Sequence, residues 1–164
     1  MSQSNKLLLE DQLCFALYAA TNAIVRTYRP MLANLGLTYP QYLVMIVLWQ
    51  GGTSTVNEIA DRLCLPPSAI SPLIDRLEQA GFATRRRDPS DRRTVLVDLT
   101  PEGAQLEAGA ARAQATVVCR TQMQPSEFSN LRDNLHQLLV QLNEDAEQSS
   151  GANCASALAG SGAG

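Results

Sequence analysis

The 164-residue sequence predicts a mainly α-helical protein carrying one small β-hairpin. Three observations predict it. Thr55-Val56-Asn57-Glu58 has the form of a capping box, in which a hydroxyl and a carboxylate satisfy backbone amides at the start of a helix. Leu65-Pro66-Pro67 breaks that helix after a few turns, and Pro67 suits the first position of another. Beyond it, the alternating Val95/Val97/Leu99 lies across Asp88-Pro89-Ser90-Asp91 from an arginine-rich stretch, as two strands lie across a turn.

The elements follow in order. Residues 9–34 read as a long helix with apolar positions at Leu13, Leu17, Ile24 and Val25; Pro30 is expected to bend or interrupt it, and Gly36 to end it. Tyr39-Pro40 opens a second helix through Trp49, which Gly51-Gly52 stops. The capped helix covers Val56 to Cys64. The next runs from about Ser68 to Ala80, with Ile70, Leu73, Ile74 and Leu77 facing inward and Gly81 as its stop. Ala83 to Arg87 pairs with Val95 to Leu99. Thr100-Pro101-Glu102 then caps a helix to about Met123. After a break at Gln124-Pro125-Ser126 a last helix reaches about Glu147, with an apolar stripe at Leu131, Leu135, Leu138, Leu139 and Leu142. The Ser-, Gly- and Ala-rich tail, 148–164, is expected to be disordered.

Two short helices joined by a tight turn and followed by a basic hairpin make a winged helix-turn-helix, here at about 55–99 of a single domain spanning 1–147. The flanking helices, about 9–34 and 101–147, are expected to form a two-fold dimer. That arrangement buries their apolar faces and sets two recognition helices on successive major grooves of a palindromic site.

Composition sets the outer limits. The chain is long enough for one domain with a real core. Its longest apolar run, Leu43 to Trp49, is too short to span a bilayer, and no signal peptide is evident, so a cytoplasmic protein is expected, with no membrane partner. Four cysteines without paired spacing argue against a zinc site and against a disulfide scaffold; no metal or cofactor is expected. Net charge is −3, but the stretch from Arg62 to Arg93 carries a local +3 and the rest −6. A basic lobe on an acidic body fits a face that contacts double-stranded DNA, although a solvated charge run would look the same.

The candidate chemical group is Cys14, in Leu13-Cys14-Phe15-Ala16-Leu17-Tyr18. At ~100° per residue, Tyr18, Thr21, Val25 and Tyr28 share its helix face. A thiol shielded on such a face, with phenol donors available and a helix N-terminus nearby, is a setting for a redox-sensing cysteine. The alternative is a small core hydrophobe. Tyr28 stands fourteen residues beyond Cys14, ~21 Å along a straight helix, so any service it does the thiol comes from a partner chain. Cys64 reads as core filler, and Cys154 has no assigned role.

Ala80-Gly81-Phe82 before the hairpin, Asp91-Arg92-Arg93 within it and Leu99-Thr100-Pro101-Glu102-Gly103 after it resemble the MarR family of winged-helix repressors, over roughly residues 9–147. The cysteine segment, Tyr28, Leu37-Thr38-Tyr39-Pro40-Gln41-Tyr42 and Leu48-Trp49 resemble its organic-hydroperoxide-sensing branch, the OhrR type. The resemblance implies a homodimeric repressor, not an enzyme, that releases DNA when organic hydroperoxide oxidises Cys14. It implies Tyr28 and Tyr39 as hydrogen-bond donors to the thiolate, Tyr18 as an aromatic beside it, and Cys119 as the resolving cysteine across the dimer. Leu13, Phe15, Leu17 and Val44 are expected to line an apolar surround for the thiol.

For DNA, Ser68, Ser71 and Pro72 are expected to reach base edges, and Arg76 a phosphate or guanine. Arg92 or Arg93 is expected in the minor groove, with Asp91 orienting the wing arginine by an ion pair. Arg86, with Arg85 and Arg87, reads equally as phosphate contact or strand surface. Pro66-Pro67 and Asp75 depart from the branch pattern. Two other readings stay open: a repressor switched by a small aromatic ligand under the first helix, and a thiol peroxidase. The second is weakened because the sole histidine, His136, sits among leucines and glutamines of the last helix.

Overall fold

The computed structural model describes residues 7–159, with side chains through 144. One compact unit ends at Arg120 and a second begins at Thr121. The first comprises α1 (Leu13–Ala33), α2 (Tyr39–Gly51), β1 (Ser54–Thr55), α3 (Val56–Leu63), α4 (Pro67–Gln79), β2 (Ala83–Arg87), β3 (Val95–Leu99), α5 (Pro101–Gln105) and α6 (Glu107–Arg120), with side-chain caps opening α2, α3 and α5.

Helix α1 starts four residues later than the sequence suggests and runs through Pro30 rather than breaking there. The chain then turns at Gly36, whose φ of 71° suits glycine. The Thr38 hydroxyl and Gln41 side chain form a reciprocal capping box that opens α2. The expected box at Thr55 and Glu58 opens α3, with the Thr55 amide donating to Glu58 at 2.7 Å.

Strand β1 is the one element the sequence did not announce. Two residues, Ser54 and Thr55, pair with Val97 and Leu96, so the hairpin becomes a three-stranded antiparallel sheet in the order β1-β3-β2. The hairpin itself has the expected register, Ala83 opposite Leu99 and Arg87 opposite Val95. The core of this unit gathers Leu32 from α1, Val44, Met45 and Leu48 from α2, Ile59 from α3, Ile70, Ile74 and Leu77 from α4, and Val97 from β3, all fully enclosed.

The single helix expected from Thr100 to Met123 is divided. The turn tightens at Leu106, whose amide donates to the Gly103 carbonyl. Gly103 is required there: a Cβ would stand 2.0 Å from the Phe82 carbonyl oxygen. The Trp49 indole N–H donates to the Gly103 carbonyl at 3.0 Å, tying α2 to this corner.

The second unit contains α7 (Pro125–Ala159). It continues past the end expected near residue 147, through a stretch rich in alanine, the best helix former. Residues 148–159, expected as a disordered tail, are thus helical, and 160–164 lie outside the described residues. Leu131, Leu135, Leu139 and Leu142 of α7 are exposed. Among the described residues no helix is long and apolar enough to cross a membrane.

Candidate functional site

Helix α4 is set as a recognition helix by its neighbours: α3 packs against it through Ile59 and Ala60, and its own buried stripe leaves the opposite face in water. On that face Ser68, Pro72 and Arg76 are exposed, and Ser71 is half-buried with its hydroxyl donating to the Pro67 carbonyl at 3.4 Å. Pro72 lies inside the helix without interrupting it.

The wing sorts its arginines by strand alternation. Arg85 faces inward. Its main-chain N–H donates to Glu78 at 2.8 Å, its guanidinium pairs with both Asp75 and Glu78, and its second terminal nitrogen donates to the Ser71 carbonyl at 3.1 Å. Partial burial, which lowers the pKa of a guanidinium, is outweighed by those two carboxylates, so Arg85 is held above its ordinary value. Arg86 faces the other way. Its Nε donates to Asp98 at 2.6 Å, which leaves the outer edge of the guanidinium open. Asp98 also accepts from the Thr53 hydroxyl; that bond, with Arg86, holds its carboxyl below the usual range. Arg87 donates to the Arg92 carbonyl at 3.3 Å.

At the tip, Asp91 does not pair with an arginine side chain as expected. It accepts from the Arg93 amide at 3.0 Å and the Thr94 hydroxyl at 2.9 Å. An aspartate in a tight turn satisfies local backbone donors more readily than a long, hydrated arginine. Arg92 and Arg93 are exposed. Arg93, Thr94 and Val95 line a cleft with Thr55, Val56, Asn57 and Ser71, so wing, α3 and α4 present one continuous surface.

The thiol region is divided in two. In one part, Tyr28, Tyr39 and Tyr42 form a cluster with ring centroids 5.3–5.9 Å apart, and Trp49 extends it from Tyr42 at 6.4 Å. Burial raises the pKa of all three phenols, and a hydrogen bond links Tyr28 to Tyr42. They are therefore protonated donors throughout the neutral range. Tyr39 also lines an apolar cavity of about 350 Å³ with Val25, Arg29, Ala33, Leu37, Thr38 and Pro40.

The other part holds the sulfur. Cys14 is the second residue of α1 and is exposed, not shielded as expected. Tyr18, one turn on, is 68% exposed, and Leu13, Phe15 and Ile24 are exposed too. Val44, expected beside the thiol, is fully enclosed in the core of its own chain. Cys119 is exposed near the end of α6. Cys64 is not core filler: it closes α3 in the left-handed conformation, φ 53°, and is exposed. His136 is exposed on α7, and the Cys154 side chain lies outside the described residues. No group of His, Cys, Asp and Glu that could hold a metal ion occurs among the described residues.

A helix pair with one exposed helical face, backed by a basic wing, defines a winged-helix DNA-binding protein. The MarR family pattern matches residues 37–95. The chain is 37% identical over 136 residues to the organic hydroperoxide resistance transcriptional regulator of Bacillus subtilis, covering 83% of this chain and 92% of that one. It is 43% identical over 138 residues to the transcriptional regulator TtmR of Methylorubrum extorquens, covering 84% and 71%. Among solved structures, reduced AbfR bound to DNA matches with a TM-score of 0.70 at 32% identity, over 82% of this chain and 93% of that one. Disulfide-formed AbfR matches with 0.60 at 33% identity, over 80% and 92%. The chain belongs to the MarR family, whose members here are transcriptional regulators and not enzymes.

Proposed function

We propose that the chain is a homodimeric repressor that binds a palindromic operator when reduced and leaves it when organic hydroperoxide oxidises Cys14. The observation that carries this reading is the division of the thiol region. One chain holds Tyr39 at an open, largely apolar cavity, with Tyr28 and Tyr42 in ring contact with it, and presents its cysteine uncovered near the start of α1. Tyr28 and Tyr39 then serve the Cys14 of a second copy, whose exposed Leu13, Phe15 and Tyr18 are covered in the same contact. The similarity to a hydroperoxide-resistance regulator and to AbfR in reduced and disulfide forms supports it.

The chemistry has two steps. The Cys14 thiolate attacks one peroxide oxygen; the O–O bond breaks, the sulfur is oxidised to a sulfenic acid, and the alkoxide takes a proton and leaves as alcohol. The Cys119 thiolate then attacks that sulfur, a disulfide forms, and the hydroxyl leaves as water.

This second bond joins two chains rather than closing within one. Thr116 and Met31 line the same cavity, and Gly109 meets Leu35, so α6 lies along the C-terminal part of α1. Cys119 is ~5 Å beyond Thr116 along its helix, whereas Cys14 is ~25 Å back from Met31 along α1. A disulfide needs Cα atoms within ~7 Å. Bonding across the pair moves the end of α1 and with it the spacing of the two reading heads.

The test uses a duplex selected from a random library on reduced protein. Cumene hydroperoxide is expected to release it as a covalent dimer appears on a non-reducing gel. Cys14→Ser is expected to stay bound, and Cys119→Ser to react without cross-linking. Release from Cys14→Ser by peroxide would overturn the reading. A second reading rests on the cavity holding Arg29 and Tyr39: a small aromatic acid bound there releases DNA, and Cys14→Ser remains sensitive to it.

A further inference from the structure

Arg85 sits among the wing arginines, yet its hydrogen bonds run inward. Its guanidinium holds two carboxylates one turn apart on α4, Asp75 and Glu78, and the Ser71 carbonyl one further turn back. Glu78 closes the loop by accepting the Arg85 main-chain N–H at 2.8 Å. Four bonds from one residue thus span about two turns of the recognition helix. Arg86, the next residue, is held at Nε alone and keeps its outer edge open.

A winged helix reads DNA with two parts, a helix and a hairpin, and their relative angle decides whether both engage one site. The hairpin leaves α4 through the capped turn at Gly81, φ 78°, and its base is anchored by Ala83 and Val97 in the core and by the pairing of β3 with β1; a brace to the helix further out along the arm fixes its angle. A fork of planar, directional donors fixed to successive turns of the helix supplies that brace better than any single ion pair. We propose that Arg85, with Asp75 and Glu78, is the positioning clamp that fixes the wing to the recognition helix and so sets sequence selectivity, and that Arg85 makes no phosphate contact.

The clamp also accounts for Asp75, an acid on the helix that faces a polyanion. Half-exposed and unpaired, it would repel DNA; paired with Arg85, its charge is cancelled while it carries positional load.

Two measurements separate a clamp from a phosphate contact. Affinity is measured by fluorescence anisotropy for a duplex selected on the wild-type protein and for a random duplex, each over a range of salt. A phosphate contact contributes about 0.9 to the slope of log affinity against log salt, for any sequence. Arg85→Met is expected to lower affinity for the selected duplex about tenfold, a typical size for a lost network contact, while leaving random-duplex binding and the slope unchanged. Arg92→Ala serves as the contrast and is expected to lose slope on both duplexes.

The double variant Asp75→Asn, Glu78→Gln tests the same point with the opposite charge sign. Removing two acids beside DNA tightens binding to any duplex if charge alone matters. The clamp predicts instead that the ratio of selected to random affinity falls. Thermal melting checks that each variant is folded, and Glu78→Gln alone, which keeps an acceptor for the Arg85 amide, replaces any that is not. A slope reduced by about 0.9 in Arg85→Met, or an unchanged affinity ratio in the acid variants, would overturn the proposal.

Discussion

In the lobe from Ser54 to Leu99, Ile59, Ile70, Ile74, Leu77 and Val97 are fully enclosed and two of the strand arginines are tied to acids. In the first half of α1, Leu13, Phe15 and Tyr18 face solvent. The lobe is assembled from partners close in sequence, each supplying what the next lacks: a cap, a buried face, a strand edge. The first half of α1 has the apolar content of a core helix without a core. The chain thus completes the packing of its DNA-binding lobe while the apolar side chains at the start of α1 stay exposed.

The sharpest way to break this contrast is to truncate one side chain from each region. Ile74→Ala removes a fully enclosed side chain from α4 and is expected to cost about 2–5 kcal/mol in urea unfolding, with loss of DNA binding. Phe15→Ala, at 40% exposure, is expected to cost about 0.5 kcal/mol or less in dilute protein, yet to weaken self-association in sedimentation equilibrium. An unfolding cost for Phe15→Ala as large as that for Ile74→Ala, at low protein concentration, would show that the chain buries α1 against itself.

The same contrast explains what the sequence made legible. The capping box at Thr55, the proline start of α4 and the register of the hairpin are all local, and each appears where spacing places it. Strand β1 was missed because two residues carry no periodicity; Ser54 and Thr55 become a strand only through the edge that β3 offers. Arg85 and Arg86 looked alike because a run of three arginines hides which face each one takes, and that is settled by Asp75 and Glu78 ten and seven residues back. Cys64 misled for a different reason: an apolar residue at a helix end was assigned to the core, but the left-handed closing position faces water. Cys14 was readable as an aromatic-flanked thiol, whereas its exposure was not, since shielding depends on what lies across the helix.

A smaller effect is expected where two backbones nearly touch. Gly103→Ala drives a methyl group into the Phe82 carbonyl and displaces the corner that Trp49 anchors. Overpacking of this kind costs about 1–3 kcal/mol. Trp49 fluorescence is expected to report the shift before global unfolding begins. An unchanged emission spectrum and unfolding midpoint would mean that α5 slides freely on the sheet, and that the lobe is less tightly determined than its buried residues imply.

The smallest effect concerns the caps that start the lobe, and its pH dependence has a definite sign. The Thr55 amide, then its side chain, hydrogen-bonds the Glu58 carboxylate and lowers its pKa from the ordinary 4.5. A group with a depressed folded pKa contributes stability that is fully present above its unfolded value and fades as pH falls through the folded one. Thr55→Ala is expected to cost about 1 kcal/mol at neutral pH. Glu58→Gln, which keeps an acceptor but loses the charge near the start of α3, is expected to cost about 0.5 kcal/mol. Urea midpoints of wild type and Glu58→Gln are therefore expected to stay apart at neutral pH and to converge as pH falls below the ordinary 4.5 and through the lowered native value. A gap that persists unchanged at pH 3 would locate the cost in the geometry of the cap, and the start of α3 would then owe nothing to the charge.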